Sequence, residues 1–282
     1  MHTYSVWSSE RGPQTTAITA SLARAQAERG DRVLVVDFTP PGGGLTEYFG
    51  LETQDRYEEN IVSHLLEEDT EPFDELIRSA ESGVDIVPTH DYLAELDSIL
   101  EQNAVLSEQS APRIGYEYPK TEQLHRVLSD SKVFYQYDII LVDSGTGINQ
   151  CAYNGVYAAP NVLIPFEAGT QVETLESEFE TIEETLDSIE VDVLGTVPTG
   201  LESDGTGEYA NNIADVSAEL PATGIGIDDC PSLFEDVRVA KTSFHEFEAN
   251  EEYRQLEDHE RDILESVEEL AEYVSTELKP PY

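Results

Sequence analysis

Six short apolar runs set the framework of this chain: TYSVWS (3–8), RVLVVDF (32–38), VDIVP (84–88), YDIILVDS (137–144), NVLIPF (161–166) and DVLGTVP (192–198). They are rich in β-branched residues and nearly continuous in apolar character. That pattern belongs to strands buried on both faces, hence to a mostly parallel sheet. Between the runs lie helical stretches. Thr16–Arg29 is alanine-rich and stops at Gly30, a residue suited to a helix end. Residues 92–102 and 121–130 carry apolar residues three and four apart. The segment 170–189 aligns Val172, Leu175, Phe179, Ile182 and Leu186 on one stripe, and 258–278 does the same with Ile263, Val267, Leu270 and Val274. Strands alternating with helices predict an α/β fold, a doubly wound sheet with helices on both faces. Ligands of such sheets bind beyond the carboxyl ends of the strands, so the residues that follow each strand matter most. Residues 103–120 and 199–212 read as loops.

At 282 residues the chain is read as one α/β domain, 1–282, large enough for a substantial core. Its charge is extreme, with 15 Lys+Arg against 59 Asp+Glu and a formal net of −44. The acids spread from Glu47 to Glu277 and fill the polar faces of the helices, where they read as solvated surface. Lysine occurs only at 120, 132, 241 and 279. Such a chain repels itself in dilute buffer and is relieved by salt, the signature expected of a cytoplasmic protein from an extreme halophile. Cys151 and Cys230 form neither a disulfide framework nor a metal motif in sequence and read as buried thiols. The six histidines show no ligand spacing. No signal peptide is visible, and no apolar run approaches the ~20 residues of a membrane span.

Two strands end in aspartate, Asp37 and Asp143. A carboxylate after a buried strand is a usual place to orient hydrated magnesium, and equally a place for a helix cap. The segment before the first helix, SSERGPQTT (8–16), sits where a phosphate-binding loop would lie, with Gly12 its single glycine. Gly42, Gly43 and Gly44 follow Asp37, either as a switch lining the site or as a plain connection.

In this order the segments resemble the ParA/MinD family of deviant P-loop ATPases. GDRVLVVDFTPPGGGLTEYFGL (30–51) is similar to that family's G-x-R-V-L-L-V-D-x-D-P-Q-G-N-L-T-x-x-L-G-L, and YQYDIILVDSGTGIN (135–149) to its Y-D-Y-I-L-I-D-T-P-P-S. GVDIVPTHDYLAELDSIL (83–100), NVLIPFEAGTQVETL (161–175), DVLGTVPTG (192–200) and the tail 227–255 follow in family order, so the likeness spans about 3–278. It implies an ATP and magnesium site built from Arg11, Gly12, Gln14, Thr15, Thr16, Asp37 and Asp143, with Thr16, Asp37 and Asp143 toward the metal. It also implies protein partners and a homodimer.

The departures from the family are chemical. Its loop K-G-G-V-G-K-T-T falls on Glu10–Ala17. The loop lysine is Thr15, the lysine that reaches a partner's nucleotide is Glu10, and a glycine is Gln14. Pro13 offers no N–H. Glu10 sets a negative charge toward a polyphosphate, costing on the order of 1–4 kcal/mol at a few ångströms. The family's second aspartate of D-x-D, implied to position the attacking water, is Thr39. These losses predict a partitioning, positioning or regulatory protein with weak or absent ATP hydrolysis. The alternative is an active ATPase for DNA or cargo segregation whose rearranged loop clamps phosphate through Arg11, since guanidinium binds phosphate well. DNA binding finds thin support: the basic groups are Arg11/Arg24/Arg29/Arg32 and Arg238/Lys241, set against −44.

Overall fold

The computed structural model describes residues 1–10, 12–51, 59–68, 71–111, 115–167, 169–201 and 220–278, the side chains of Pro13 and Val172 excepted. Its eight-stranded sheet comprises β1 (His2–Ser8), β2 (Val33–Asp37), β3 (Arg78–Glu81), β4 (Val84–Val87), β5 (Ile139–Thr146), β6 (Asn161–Glu167), β7 (Asp192–Leu201) and β8 (Ile227–Asp228). The order across it is β3-β4-β2-β5-β1-β6-β7-β8. Every pairing is parallel except the hairpin of β3 with β4. All six expected strands are present. The two additional ones lie at the sheet edges, where β3 is only partly covered and β8 has two residues, too short and too polar to show an apolar run.

The helices are α1 (Pro13–Glu28), α2 (Leu45–Tyr48), α3 (Ile61–Leu65), α4 (Leu96–Ser110), α5 (Gln123–Asp130), α6 (Gln150–Ala158), α7 (Val172–Thr185), α8 (Pro231–Ala240), α9 (Phe244–Ala249) and α10 (Asp258–Glu277). Alternation along the strands sorts side chains between the two faces. Val33, Val35, Ile139 and Leu141 pack with Leu22 of α1 and with Val267 and Leu270 of α10. Leu34, Val36, Ile140 and Val142 pack with Leu100 of α4 and with Leu124 and Leu128 of α5. Trp7 turns to Phe179 of α7, ring centroids 5.5 Å apart. The stripes of α7 (Leu175, Phe179, Ile182, Leu186) and α10 (Ile263, Val267, Leu270, Val274) are buried, each such side chain contributing about 1.5–3 kcal/mol.

Three expectations need correction. Residues 199–201, read as the start of a loop, close β7, and 202–212 lie outside the described residues. Residues 103–110 are not loop: α4 runs to Ser110, buried through Leu96, Leu100 and Ala104. The sequence pattern fades there because Val105 and Leu106 face outward and are exposed. The first helix begins at Pro13, with Gly12 as its N-cap residue, and not at Thr16. Proline at the first helical position costs no hydrogen bond and presets the backbone, so the last four residues of the supposed loop, 13–16, are wound into helix.

His245, in the first turn of α9, is buried with neither ring nitrogen hydrogen-bonded. Burial, with the charge of Arg24 second, lowers its pKa to about 4. Glu268 Oε1 lies 3.7 Å from Nε2, beyond hydrogen-bond reach, so burial wins. The unfolded chain protonates this histidine near pH 6.5 and the folded one near 4. The unfolded state therefore binds more protons in between, and the contribution of His245 to stability is lost as pH falls through that window. His245→Asn is expected to flatten this slope by on the order of 2–3 kcal/mol. Unfolding midpoints of both proteins between about pH 7 and 4.5, in molar KCl, measure it.

Candidate functional site

The connection β1–α1–β2 passes over β5, and β5–α6–β6 passes over β1. The winding reverses there, and the carboxyl ends of β1, β2 and β5 meet, the usual ligand position of such a sheet. Register places Asp37 beside Asp143 and Ser8 beside Thr146. A larger cavity of about 730 Å³, lined by Met1, His125, Tyr135 and Tyr157, opens at the amino ends of β1, β6 and β7, the end opposite to these carboxylates.

Asp37 is buried, and its carboxylate is heavily engaged. Oδ1 accepts the hydroxyl of Thr39 at 2.7 Å. Oδ2 accepts the amide of Thr46 at 2.8 Å and its hydroxyl at 2.6 Å. Thr46 Oγ1 in turn accepts the amide of Thr89 at 2.8 Å, and the Thr89 hydroxyl donates to the carbonyl of Thr39. Thr39, which stands where the resemblance expects an aspartate, is thus a donor to Asp37; a second carboxylate there would repel it. The glycine turn lies close above: a Cβ on Gly44 would come within 2.7 Å of Thr39 Oγ1 and 3.0 Å of both Asp37 carboxylate oxygens. Gly43 offers its carbonyl to the Thr16 hydroxyl at 3.1 Å. Asp143 accepts the amide of Gly145 at 3.1 Å, and Gly145 adopts φ 74°. The residues after it are tied to β1 by Trp7 Nε1 donating to Gly147 O at 2.9 Å.

At the start of α1 the surroundings are acidic. A Cβ on Gly12 would lie 1.9 Å from Glu167 Oε1, so the Glu167 carboxylate as it stands rests in the space that the glycine leaves open at the helix end. A helix N-terminus favours an anion, and here the chain supplies its own. Glu10 adds charge: burial first, and then the charge of Glu10, raise the pKa of Glu178 on α7. Gln14 points away, donating to Asp229 Oδ1 at 2.8 Å beyond β8. Thr15 and Thr16 share a void of about 10 Å³ with Val6, Ser8, Asp143, Gly145 and Thr146, the space of about one water molecule.

The structure therefore brings Thr15, Thr16 and Asp143 around one void and joins Asp37 to it through the glycine turn. Gly12 caps the helix, Gln14 is turned outward, and Arg11 lies outside the described residues. The hydroxyl of Thr16 and the two carboxylates are the right oxygen donors for magnesium. Glu167 lies against Gly12, and the void beside Thr15 and Thr16 has room for about one water molecule. The sequence reading missed Thr46, Thr89, Glu167 and Asp229. Glu167 ends β6 and Asp229 follows β8, so the strand-end rule pointed to both. Thr46 and Thr89 carried no such signal.

Because Asp37 holds buried donors together without any ligand, Asp37→Ala is expected to destabilise the ligand-free protein by about 2–4 kcal/mol. Unfolding in molar KCl measures this. A carboxylate retained only to meet a metal would leave stability unchanged or raised on removal.

The family model AAA_31, an AAA domain, matches residues 4–193. No curated protein sequence matches the chain. Among solved structures, McdA from Cyanothece in an ATP complex aligns with TM-score 0.72 at 18% identity, over 100% of this chain and 99% of that one. MinD from Aquifex aeolicus, in its complex with MinC, aligns at 0.66 and 17% over 99% and 98%. A Borrelia burgdorferi B31 protein assigned to plasmid partition, bound to AMPPNP, aligns at 0.66 and 16% over 95% and 97%. Strand order, the paired strand-end aspartates and the family match converge: the chain belongs to the ParA/MinD family of P-loop ATPases.

Proposed function

We propose that this protein is a partitioning, positioning or regulatory member of its family that hydrolyses ATP weakly or not at all, and that acts through protein contacts and a homodimer. One observation carries the reading: the Glu167 carboxylate rests on Gly12, at the helix end where a P-loop protein holds phosphate. A carboxylate stands beside that end, so a polyphosphate must move it aside and meet Glu10 as well. The missing lysine removes the cation that bridges phosphates during transfer. Thr39 supplies no carboxylate to position water. In this reading Thr16, Asp37 and Asp143 are the residues that would meet magnesium, and Gly12, Gln14, Thr15 and Arg11 those nearest a nucleotide.

The relatives support the general role. MinD is seen with MinC, and the Borrelia protein is assigned to plasmid partition. No helix among the described residues is long and apolar enough to cross a membrane. Four of the six basic residues considered for DNA are engaged: Arg24 pairs with Glu28, Arg29 with Glu272, Arg32 with Asp138 and Arg238 with Glu235. Direct protein contact is therefore favoured over phosphate-backbone attraction, which high salt weakens further.

The test is phosphate release with magnesium and ATP in molar KCl. The expected outcome is no turnover above background, unchanged by Arg11→Ala. Turnover that Asp37→Ala and Arg11→Ala both abolish would overturn the reading in favour of an active ATPase with an arginine clamp.

A further inference from the structure

A second cluster lies just beyond β8, next to Asp229, which Gln14 of α1 reaches. Cys230 precedes α8 and is buried, while His259 and Glu260 sit in the first turn of α10. No spacing in the sequence joins them; the packing of α10 beside β8 does. Cys230 Sγ lies 3.7 Å from His259 Nε2 and 3.9 Å from Glu260 Oε1, and the three donor atoms fall within 4.8 Å of one another. Tetrahedral ligands on zinc, with Zn–S of about 2.3 Å and Zn–N of about 2.0–2.1 Å, stand roughly 3.5 Å apart. A contraction of a few tenths of an ångström between most pairs would bring this set to coordination distance.

The surroundings are those of an oriented metal ligand set. His259 turns Nε2 toward the sulfur, and its other nitrogen, Nδ1, faces Glu257 Oε2 at 3.7 Å. Glu260 is held rigidly: its two oxygens accept Arg254 Nη1 and Nη2 at 2.6 Å each, and Oε2 also accepts the Glu257 amide at 2.8 Å in a capping box. Arg254 is itself neutralised by Asp236 at 2.6 Å. Ser232 Oγ lies 3.5 Å from the sulfur, placed to donate to a thiolate. The exposed edge of His259 leaves room for water as a fourth ligand.

We propose that Cys230, His259 and Glu260 bind one zinc-class divalent cation, with three protein ligands and an open position to solvent. The thiol loses its proton to solvent as the metal–sulfur bond forms, and no redox step is involved. The ion would staple the start of α8 to the start of α10. Asp229, adjacent to Cys230, holds Gln14 in the first turn of α1, so the staple stiffens the corner that grips that helix. The site is separate from any nucleotide chemistry, and its test needs none.

The test is titration of the chelator-treated full chain with cobalt(II) in molar KCl containing excess magnesium to occupy weak carboxylate sites. One equivalent is expected to bring up a thiolate-to-cobalt charge-transfer band and tetrahedral ligand-field bands, displaced by zinc. Cys151→Ser retains the bands and Cys230→Ser abolishes the charge-transfer band. His259→Ala, at an exposed position that does not threaten folding, weakens binding at least tenfold. Zinc is expected to raise the melting temperature of the parent protein and not that of His259→Ala. Absence of a charge-transfer band up to millimolar cobalt, or an equal band in Cys230→Ser, overturns the proposal.

Discussion

The hydrogen bonds of Asp37 with Thr39 and Thr46 hold the functional end of this sheet together. Through them the end of β2 is joined to the start of α2, and Thr89 extends the junction to the segment after β4. The glycine turn between β2 and α2 is pressed close to the carboxylate, and its Gly43 carbonyl reaches the Thr16 hydroxyl at the start of α1. A buried carboxylate needs such donors, since leaving it unmatched would cost several kcal/mol. The same bonds make the turn a fixed wall. An aspartate that elsewhere in its family would be thought of as a metal ligand is here a structural tie as well.

Charge explains the second half of the design. With a net of −44, the chain has few cations to spare, and Arg24, Arg29, Arg32 and Arg238 are committed to carboxylate partners. The helix end that would draw a phosphate carries Glu167, with Glu10 nearby. These carboxylates and the missing lysine act in the same direction, because each lowers the gain from placing a polyanion there. A molar-salt medium screens charges beyond about 3 Å. It relieves the surface repulsion of a chain with this net charge.

Much of the fold was legible in the sequence. Near-continuous apolar runs gave the six central strands, and the stripes of α7 and α10 gave the faces that cover them. Edge strands β3 and β8 escaped because they are short and half-covered, and the end of α4 escaped because its last turns expose Val105 and Leu106. Of the site, the strand-end aspartates and the loss of lysine could be read directly. The early start of α1 could not, since Pro13 reads as a loop residue until its place at the first helical position is known. Nor could the threonine ring around Asp37, whose members are brought together only by the crossing of β2, α2 and the segment after β4. Cys230, His259 and Glu260 meet for the same reason, through tertiary packing and not through spacing.

The central claim is that an acidic side chain of the chain itself, Glu167, stands at the helix end of α1 where a phosphate would lie. Equilibrium binding of magnesium ATP, followed by calorimetry in molar KCl, tests it most directly when the parent protein is compared with Glu167→Gln. The expected result is binding weaker than millimolar in the parent and measurably tighter in the variant, with both proteins folded to the same extent. Micromolar affinity in the parent, or affinity unchanged by Glu167→Gln, would contradict the account.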